Sequence, residues 1–215
     1  MMRVLIIGAG GHGQVVADIL LRMRERTGNV EPIGYIDDNS SLFGKKLLGL
    51  PVLGSIADLA IIAHDAVVVA IGDNAVRHKL YEQLRMQGER FITACHPEAV
   101  IASDVIIGPG TMVCAGVVVN TCTEIGANVI LNTGCSVDHH NRIGNHTHIA
   151  PGARLGGEVV VSEGTLVGIG ATVINRRCIG AWSIIGAGSV VNHDIPDRVV
   201  AVGNPARIVR KLNNE

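Results

Sequence analysis

Aromatic rings are scarce in this sequence of 215 residues: one Trp, two Tyr and two Phe make up 2% of it. Large rings cannot fill such a core, so Val, Ile, Leu and Ala must do so on a backbone that turns often. Charge imbalance is missing too. Eighteen Lys and Arg against nineteen Asp and Glu leave a formal charge of -1. Without a broad positive field, neither nucleic acid nor an anionic membrane surface is an expected partner. No apolar run is long enough to span a bilayer. The opening MMRVLIIGAG breaks at glycine, no small-residue cleavage site follows, and it reads as the first strand of a cytoplasmic protein. The five cysteines (Cys95, Cys114, Cys122, Cys135 and Cys178) are odd in number and contain no CxxC pair. That argues against a disulfide framework or a zinc knuckle and for reduced, buried thiols.

What the chain has in excess is glycine, 27 residues of it, and a strict internal period. Stepping by six from Ile101 gives Ile107, Val113, Val119, Ile125, Leu131, Val137, Ile143, Ile149, Leu155, Val161, Val167, Val173, Ile179, Ile185 and Val191, without one insertion. If about one residue in four were Val, Ile or Leu, chance would give that run at odds near one in four billion. The fourth residue after each is mostly small or β-branched, as at Thr111, Thr123, Cys135, Thr147, Ala153, Thr165 and Ser183. Both positions are expected to point inward or to pack at a corner. A six-residue period suits a coil of three short strands joined by tight turns, each strand stacking on its equivalent eighteen residues later. Sixteen such steps make about five coils, about 25 Å tall at the usual strand spacing. Gly108, Gly126, Gly144, Gly156, Gly168, Gly180 and Gly186 follow the aliphatic position and are expected to supply the backbone angles of sharp corners.

The first half reads differently. The strand Arg3 to Ile7 runs into GAGGHG and then into Gln14-Val-Val-Ala-Asp-Ile-Leu, with helical spacing of apolar residues. Gly8, Gly10 and Gly13 thus sit in the strand, turn and helix context where G-x-G-x-x-G brings a phosphate to backbone N–H groups, with Gly11 and His12 in the same turn. A second strand over 32–36 ends at Asp37 and Asp38, whose carboxylates suit a uracil N–H or a ribose hydroxyl. A third over 66–71 ends at Ile71-Gly72-Asp73-Asn74, before a helix over 75–86. Three parallel strands over 1–95 make a crevice for a mononucleotide rather than a dinucleotide fold. His96-Pro97 marks the junction to a second domain over 98–215.

The chemistry of the second half concentrates in one stretch, Asn132 to His148, which holds four of the nine histidines: His139, His140, His146 and His148. Acyl transfer from a thioester needs a base for the nucleophile's proton and donors for the oxyanion, and neutral imidazole suits both near pH 7.

The hexads with their closing VVAVGNPARIVRKL resemble the hexapeptide-repeat acyltransferases. That resemblance implies a left-handed parallel β-helix and a homotrimer with active sites between subunits. Flat faces with few charges are physically consistent with such association. GAGGHG, YIDD, IGDN and the SVDHH stretch together resemble, over essentially the whole chain, the bacterial N-acetyltransferases of UDP-4-amino-sugars, with sialic acid O-acetyltransferases as close relatives. The fold implied is an α/β Rossmann-like unit followed by the all-β helix. The activity implied is acetyl transfer from acetyl-CoA to the amine of a UDP-amino-sugar, with no metal. The resemblance makes His139 the general base. The family has an acidic residue directly after it, where this chain has His140, so Asp138 and Asn132 are the alternative orienting groups. His148 falls near the thioester carbonyl, Gly157 and Ala187 along the pantetheine groove, and Arg207, Arg210 and Lys211 near the phosphates of the cofactor. Two other readings stand beside it: a three-histidine zinc hydratase on the same prism, and a non-catalytic nucleotide-sugar scaffold.

Overall fold

A computed structural model describes residues 1–213, which divide after Pro97 into two compact units. The first unit is a twisted sheet with helices. Strand β1 (Met2–Ile7) leads into α1 (Gly11–Thr27), then β2 (Val30–Ile36), β3 (Lys46–Leu47), β4 (Leu50–Gly54), β5 (Ala66–Val69) and α2 (Asn74–Met86). The sheet order is β3-β4-β2-β1-β5, parallel except for the β3–β4 hairpin. The sheet is therefore wider than the three strands expected. The extra hairpin is short and glycine-flanked, and it has no alternation long enough to stand out from a loop. Val4 to Ile7 and Ala66 to Val69 are all fully buried, as continuous apolar runs in a parallel sheet should be. The few rings gather here: Tyr35 is buried in β2 and its phenol donates to the Leu47 carbonyl at 3.2 Å, while Tyr81 packs on Phe91 with centroids 4.0 Å apart.

The second unit is a left-handed parallel β-helix of two-residue strands on three faces. One face stacks Val118–Val119, Ser136–Val137, Arg154–Leu155 and Thr172–Val173; a second stacks Glu124–Ile125, Arg142–Ile143 and Val160–Val161. The third carries Met112–Val113, Ile130–Leu131, His148–Ile149, Leu166–Val167 and Ile184–Ile185. The two-residue strands pair in parallel at an offset of eighteen residues, as in Val119 with Val137 and Val137 with Leu155, until the end of the prism, where Ile184 pairs with Val200 and the strand Val199–Val202 pairs antiparallel with Arg207–Lys211. From Val113 to Val191 each sixth residue is at most 3% exposed, and its neighbour one residue earlier is more exposed, as strand alternation requires, except at Met112 and Ile130, which are buried as well. A second inner column is hydrogen-bonded rather than merely small. Thr111 Oγ1 donates to the Gly126 carbonyl at 2.8 Å, Thr165 Oγ1 to that of Gly180 at 2.6 Å, and Ser183 Oγ to that of Pro196 at 2.8 Å.

The corner glycines do something other than expected. Gly108, Gly126, Gly144, Gly156, Gly168, Gly180 and Gly186 do not take left-handed angles. They are needed for closeness instead: a Cβ on Gly144 would lie 2.6 Å from the backbone nitrogen of Glu163 and 2.9 Å from the Ser162 carbonyl carbon in the next coil. The left-handed corner positions, every sixth residue from 110 to 188, are filled by seven glycines, Gly134 and Gly152 among them, and by the non-glycine residues Cys122, Asn128, His140, His146, Glu158, Arg176 and Trp182. Coil spacing and corner turning are thus separate demands on separate residues. Gly144→Ala is expected to destabilise the fold by about 3 kcal/mol, as over-packing against backbone does. Gly134→Ala has open space around it and is expected to cost about 1 kcal/mol through its positive φ alone. Denaturant midpoints of the two variants check the order.

Candidate functional site

In the first unit, loops at the carboxyl ends of β1, β2 and β5 enclose a cavity of about 500 Å³. It takes in Gly8, Gly10, Gly11, His12, Asp37, Asp38, Ile71 and Gly72. Gly8 has φ +105°, and Gly10 and Gly11 have no atom within 4 Å of where a Cβ would stand, so a ligand can come up to the backbone there. No side chain caps the start of α1 and no acidic residue stands in its first turn, which leaves its positive end to an anion. Gly13 stands apart from the cavity lining. It packs against the Gly8 carbonyl, which a Cβ would strike, and so locks helix to strand.

The aspartates divide their work. Asp37, expected to meet ligand, lines the cavity, and its two oxygens accept from the N–H groups of Ala9 at 2.7 Å and Asn39 at 2.9 Å, clamping the glycine turn to the end of β2. Asp38 uses one oxygen on the Ile56 N–H at 2.9 Å and lines the cavity. Asn74 Oδ1 accepts from Arg77 Nη2 at 2.8 Å. Arg77 is fully buried, and its Nη1 donates to the carbonyls of Ile71 and Gly72 at 3.0 and 3.3 Å. Burial pulls its pKa down to about 10, against the opposing charge of Asp73. Sequence reasoning missed Arg77, and it missed Lys79 and Gln83 on the cavity wall. Val76, Lys79, Leu80 and Gln83 stand at i, i+3, i+4 and i+7, which was the available signal, because that spacing sets one face of α2 toward the turn.

His12 sits in this wall with its pKa lowered to about 4, first by burial and then by the Arg77 charge. The ring is neutral at pH 7. A group whose folded pKa lies below its unfolded value of 6.5 contributes stability in full above that value and loses it as pH falls toward 4. The loss amounts to at most about 3 kcal/mol. Thermal unfolding of His12→Asn should therefore fall less steeply between pH 6.5 and 4 than that of the native chain; equal slopes would show that other groups govern acid stability.

In the second unit the four histidines fall into distinct places. His139 lies in the turn between the Ser136–Val137 and Arg142–Ile143 strands, and its imidazole rests on Gly157 of the next coil. A Cβ there would come within 2.5 Å of the ring Cε1 and 2.7 Å of Nε2. His139 Nδ1 is 3.1 Å from His140 Nδ1, the rings meeting edge to face at 5.2 Å. One of these nitrogens must donate and the other accept, so the pair fixes a tautomer between them. Asp138 does not reach the ring. Its Oδ1 accepts from Asn120 Nδ2 and from the His139 main-chain N–H, both at 2.8 Å, and these bonds hold its carboxyl below the usual range.

Asn132 is not beside His139 either. It stands at the preceding corner, where its Oδ1 accepts from the Thr133 N–H at 2.8 Å and its Nδ2 donates to His148 Nε2 at 3.1 Å. The amide orientation fixes His148 as the Nδ1–H tautomer. His146 is buried and pairs through Nδ1 with Asn128 Nδ2 at 2.8 Å, a corner-building role. Ala187 is exposed, and Arg207, Arg210 and Lys211 are exposed along the strand Arg207–Lys211. Gly157→Ala should leave the coil folded, because the atoms in its way belong to a side chain. It should displace the imidazole and, with His139 as the base that the resemblance implies, lower turnover about 100-fold, the usual cost of moving a reacting group by about 1 Å. Kinetics beside circular dichroism check this.

A histidine turn on a hexad prism, preceded by a glycine-turn cavity at the carboxyl ends of parallel strands, defines a hexapeptide-repeat acyltransferase with an α/β front unit. Residues 3–84 match the family described as the PglD N-terminal domain. The GDP-perosamine N-acetyltransferase of Escherichia coli O157:H7 is 33% identical over 214 residues, 96% of each chain. Two solved structures are also similar. The acetyltransferase domain of PglB from Neisseria gonorrhoeae FA1090, in complex with acetyl coenzyme A, has a TM-score of 0.90 at 33% identity, covering 97% of this chain and 99% of that one. PerB from Caulobacter crescentus, in complex with CoA and GDP-perosamine, has a TM-score of 0.88 at 40% identity, covering 96% and 97%. The chain belongs to this family of acetyl-CoA-dependent sugar N-acetyltransferases. Among the described residues no helix is long and apolar enough to cross a membrane.

Proposed function

We propose that this chain moves the acetyl group of acetyl-CoA to the amine of a nucleoside-diphosphate-linked amino-sugar, with His139 as general base. The carrying observation is the His139 ring, seated on Gly157 and engaged through Nδ1 by His140. With its Nδ1–H donated to His140, the His139 ring keeps Nε2 as the basic atom. Nε2 takes a proton from the sugar amine as the nitrogen lone pair attacks the thioester carbonyl carbon. The C–N bond forms, and the carbonyl π pair moves to oxygen as an oxyanion. The His148 Nδ1–H, oriented by Asn132, suits that oxyanion. Collapse breaks the C–S bond, and the departing CoA thiolate takes the proton from His139.

His139 and the Asn132–His148 pair occupy different corners of one prism, so a single substrate meets both only where two chains adjoin. This separation supports the homotrimer that the hexads led us to expect. Arg207, Arg210 and Lys211 suit the cofactor's phosphates, and Ala187 and Gly157 the thin pantetheine chain. In the front cavity, the start of α1 and Lys79 suit the diphosphate of the sugar nucleotide, with Asp38 toward the nucleoside.

The motifs favour a uridine carrier. One relative covering 96% of the chain is named for GDP-perosamine and another is solved in complex with it, which favours guanosine as the second reading. Purified protein incubated with acetyl-CoA and a panel of UDP- and GDP-linked amino-sugars, followed by free thiol and product mass, separates them. Thiol release with free sialic acid alone would move the acceptor to a hydroxyl. In the same assay His139→Ala should lower kcat about 1,000-fold with KM values within about threefold. Undiminished turnover would remove the base assignment, and a monomeric native mass would remove the shared site.

A further inference from the structure

Asn141, two residues beyond His139, is fully buried and spends its whole side chain on the turn around that histidine. Its Nδ2 donates to the Asp138 carbonyl at 2.6 Å and to the Gly156 carbonyl at 2.9 Å, and its Oδ1 accepts from the Val159 N–H at 3.1 Å. Its own N–H donates to Thr123 Oγ1 at 3.2 Å. Carbonyl partners at one end and an N–H at the other leave no doubt which end of the amide is which. These partners flank the site on both sides. Asp138 immediately precedes His139, and Gly156 immediately precedes Gly157, on which the imidazole rests. One planar group therefore ties the turn that carries the ring to the turn that forms its floor.

We infer that Asn141 is a positioning residue for the acetyl-transfer step, holding the His139 imidazole at a fixed height over Gly157. This rests on the reading of His139 as the base. The equivalent positions one coil before and after are Thr123 and Val159. Thr123 Oγ1 reaches a single carbonyl, that of Asp138, at 2.9 Å, and valine reaches none. A stack that needed only to be filled would take either residue at 141. The amide's two donors and one acceptor are required only if both coils must be held at once. A rigid turn also explains how a ring with no carboxylate partner keeps one orientation: Asn141 fixes its backbone, and His140 fixes its tautomer.

Asn141→Thr tests this, because threonine already occupies the same column at 123. With acetyl-CoA and whichever nucleotide-sugar of the UDP and GDP panel is turned over fastest, kcat should fall about 100-fold while both KM values stay within about threefold. In a His139→Ala background the same substitution should cause no further loss, since a residue acting through the imidazole has nothing left to act on. If Asn141→Thr does not assemble, the near-isosteric Asn141→Asp, which keeps the acceptor and loses both donors, is read by the same pair of ratios. A folded variant with kcat within threefold of the native value overturns the inference, as does an equal loss with and without His139. An inactive His139→Ala beside a fully active Asn141→Thr would sink this inference while leaving the base assignment standing. An active His139→Ala would sink both.

Discussion

The backbone hydrogen bonds between successive coils are the constraint on which everything else in the second unit depends. The Asp138 N–H donates to the Leu155 carbonyl at 3.1 Å, and the Glu158 N–H to that of His139 at 2.9 Å, with equivalents along the prism. Each residue is thereby stacked on the one eighteen places on, at the spacing of paired strands. Side chains become columns, and a column tolerates only what its neighbours leave room for. His139 needs a neighbour without a side chain, and Gly157 is that neighbour. The same stacking fixes the backbone on which a reacting group stands, the condition for placing it to within a fraction of an ångström.

The front unit meets a similar demand by other means. Its loops are not stacked, so buried polar atoms hold them: Asp37 grips the glycine turn, and Arg77 grips the carbonyls at the end of β5. Burying a guanidinium is costly unless its donors are used, and here two carbonyls and the Asn74 amide accept from it. The glycine turn is thus set in advance, and for the nucleotide site proposed there less of the binding free energy would go into ordering the loop.

The fold was legible because its signal was periodic. Unbroken aliphatics at every sixth position admit one kind of coil, and every one from Val113 onward lies in the core. The residues at the glycine-turn cavity were legible because motif and topology agree there. What stayed hidden were partners fixed by stacking. Asn132 faces His148, sixteen residues on, and Asn141 reaches Gly156 and Val159, fifteen and eighteen on. Asp38 and Asp37 look alike in sequence and both line the cavity, yet Asp37 holds two backbone N–H groups, one on each oxygen, and Asp38 one. The glycines following the aliphatics were misread because a corner and a close approach both call for glycine, and only φ and the neighbouring coil separate the two. Writing the second half in rows of eighteen would have put Thr121, His139 and Gly157 in one column, which is the signal that was available.

The pairing of two imidazoles also bears on how the proposed base works. A carboxylate next to a histidine orients it and stabilises by charge the imidazolium that forms as it takes a proton. His140 offers a lone pair instead, which orients the ring equally well but contributes only a hydrogen bond to the cation. Asp138, one residue before His139, is the nearest carboxylate in sequence, and its contact atom is committed to Asn120 and to the main chain. It therefore acts on the imidazolium through space, weakened by solvent. With less charge stabilisation available, more of the rate must come from geometry, from the ring's seat on Gly157 and the turn that Asn141 ties down. A site built this way should be more sensitive to small displacements of its base than one in which an anion holds the imidazole directly.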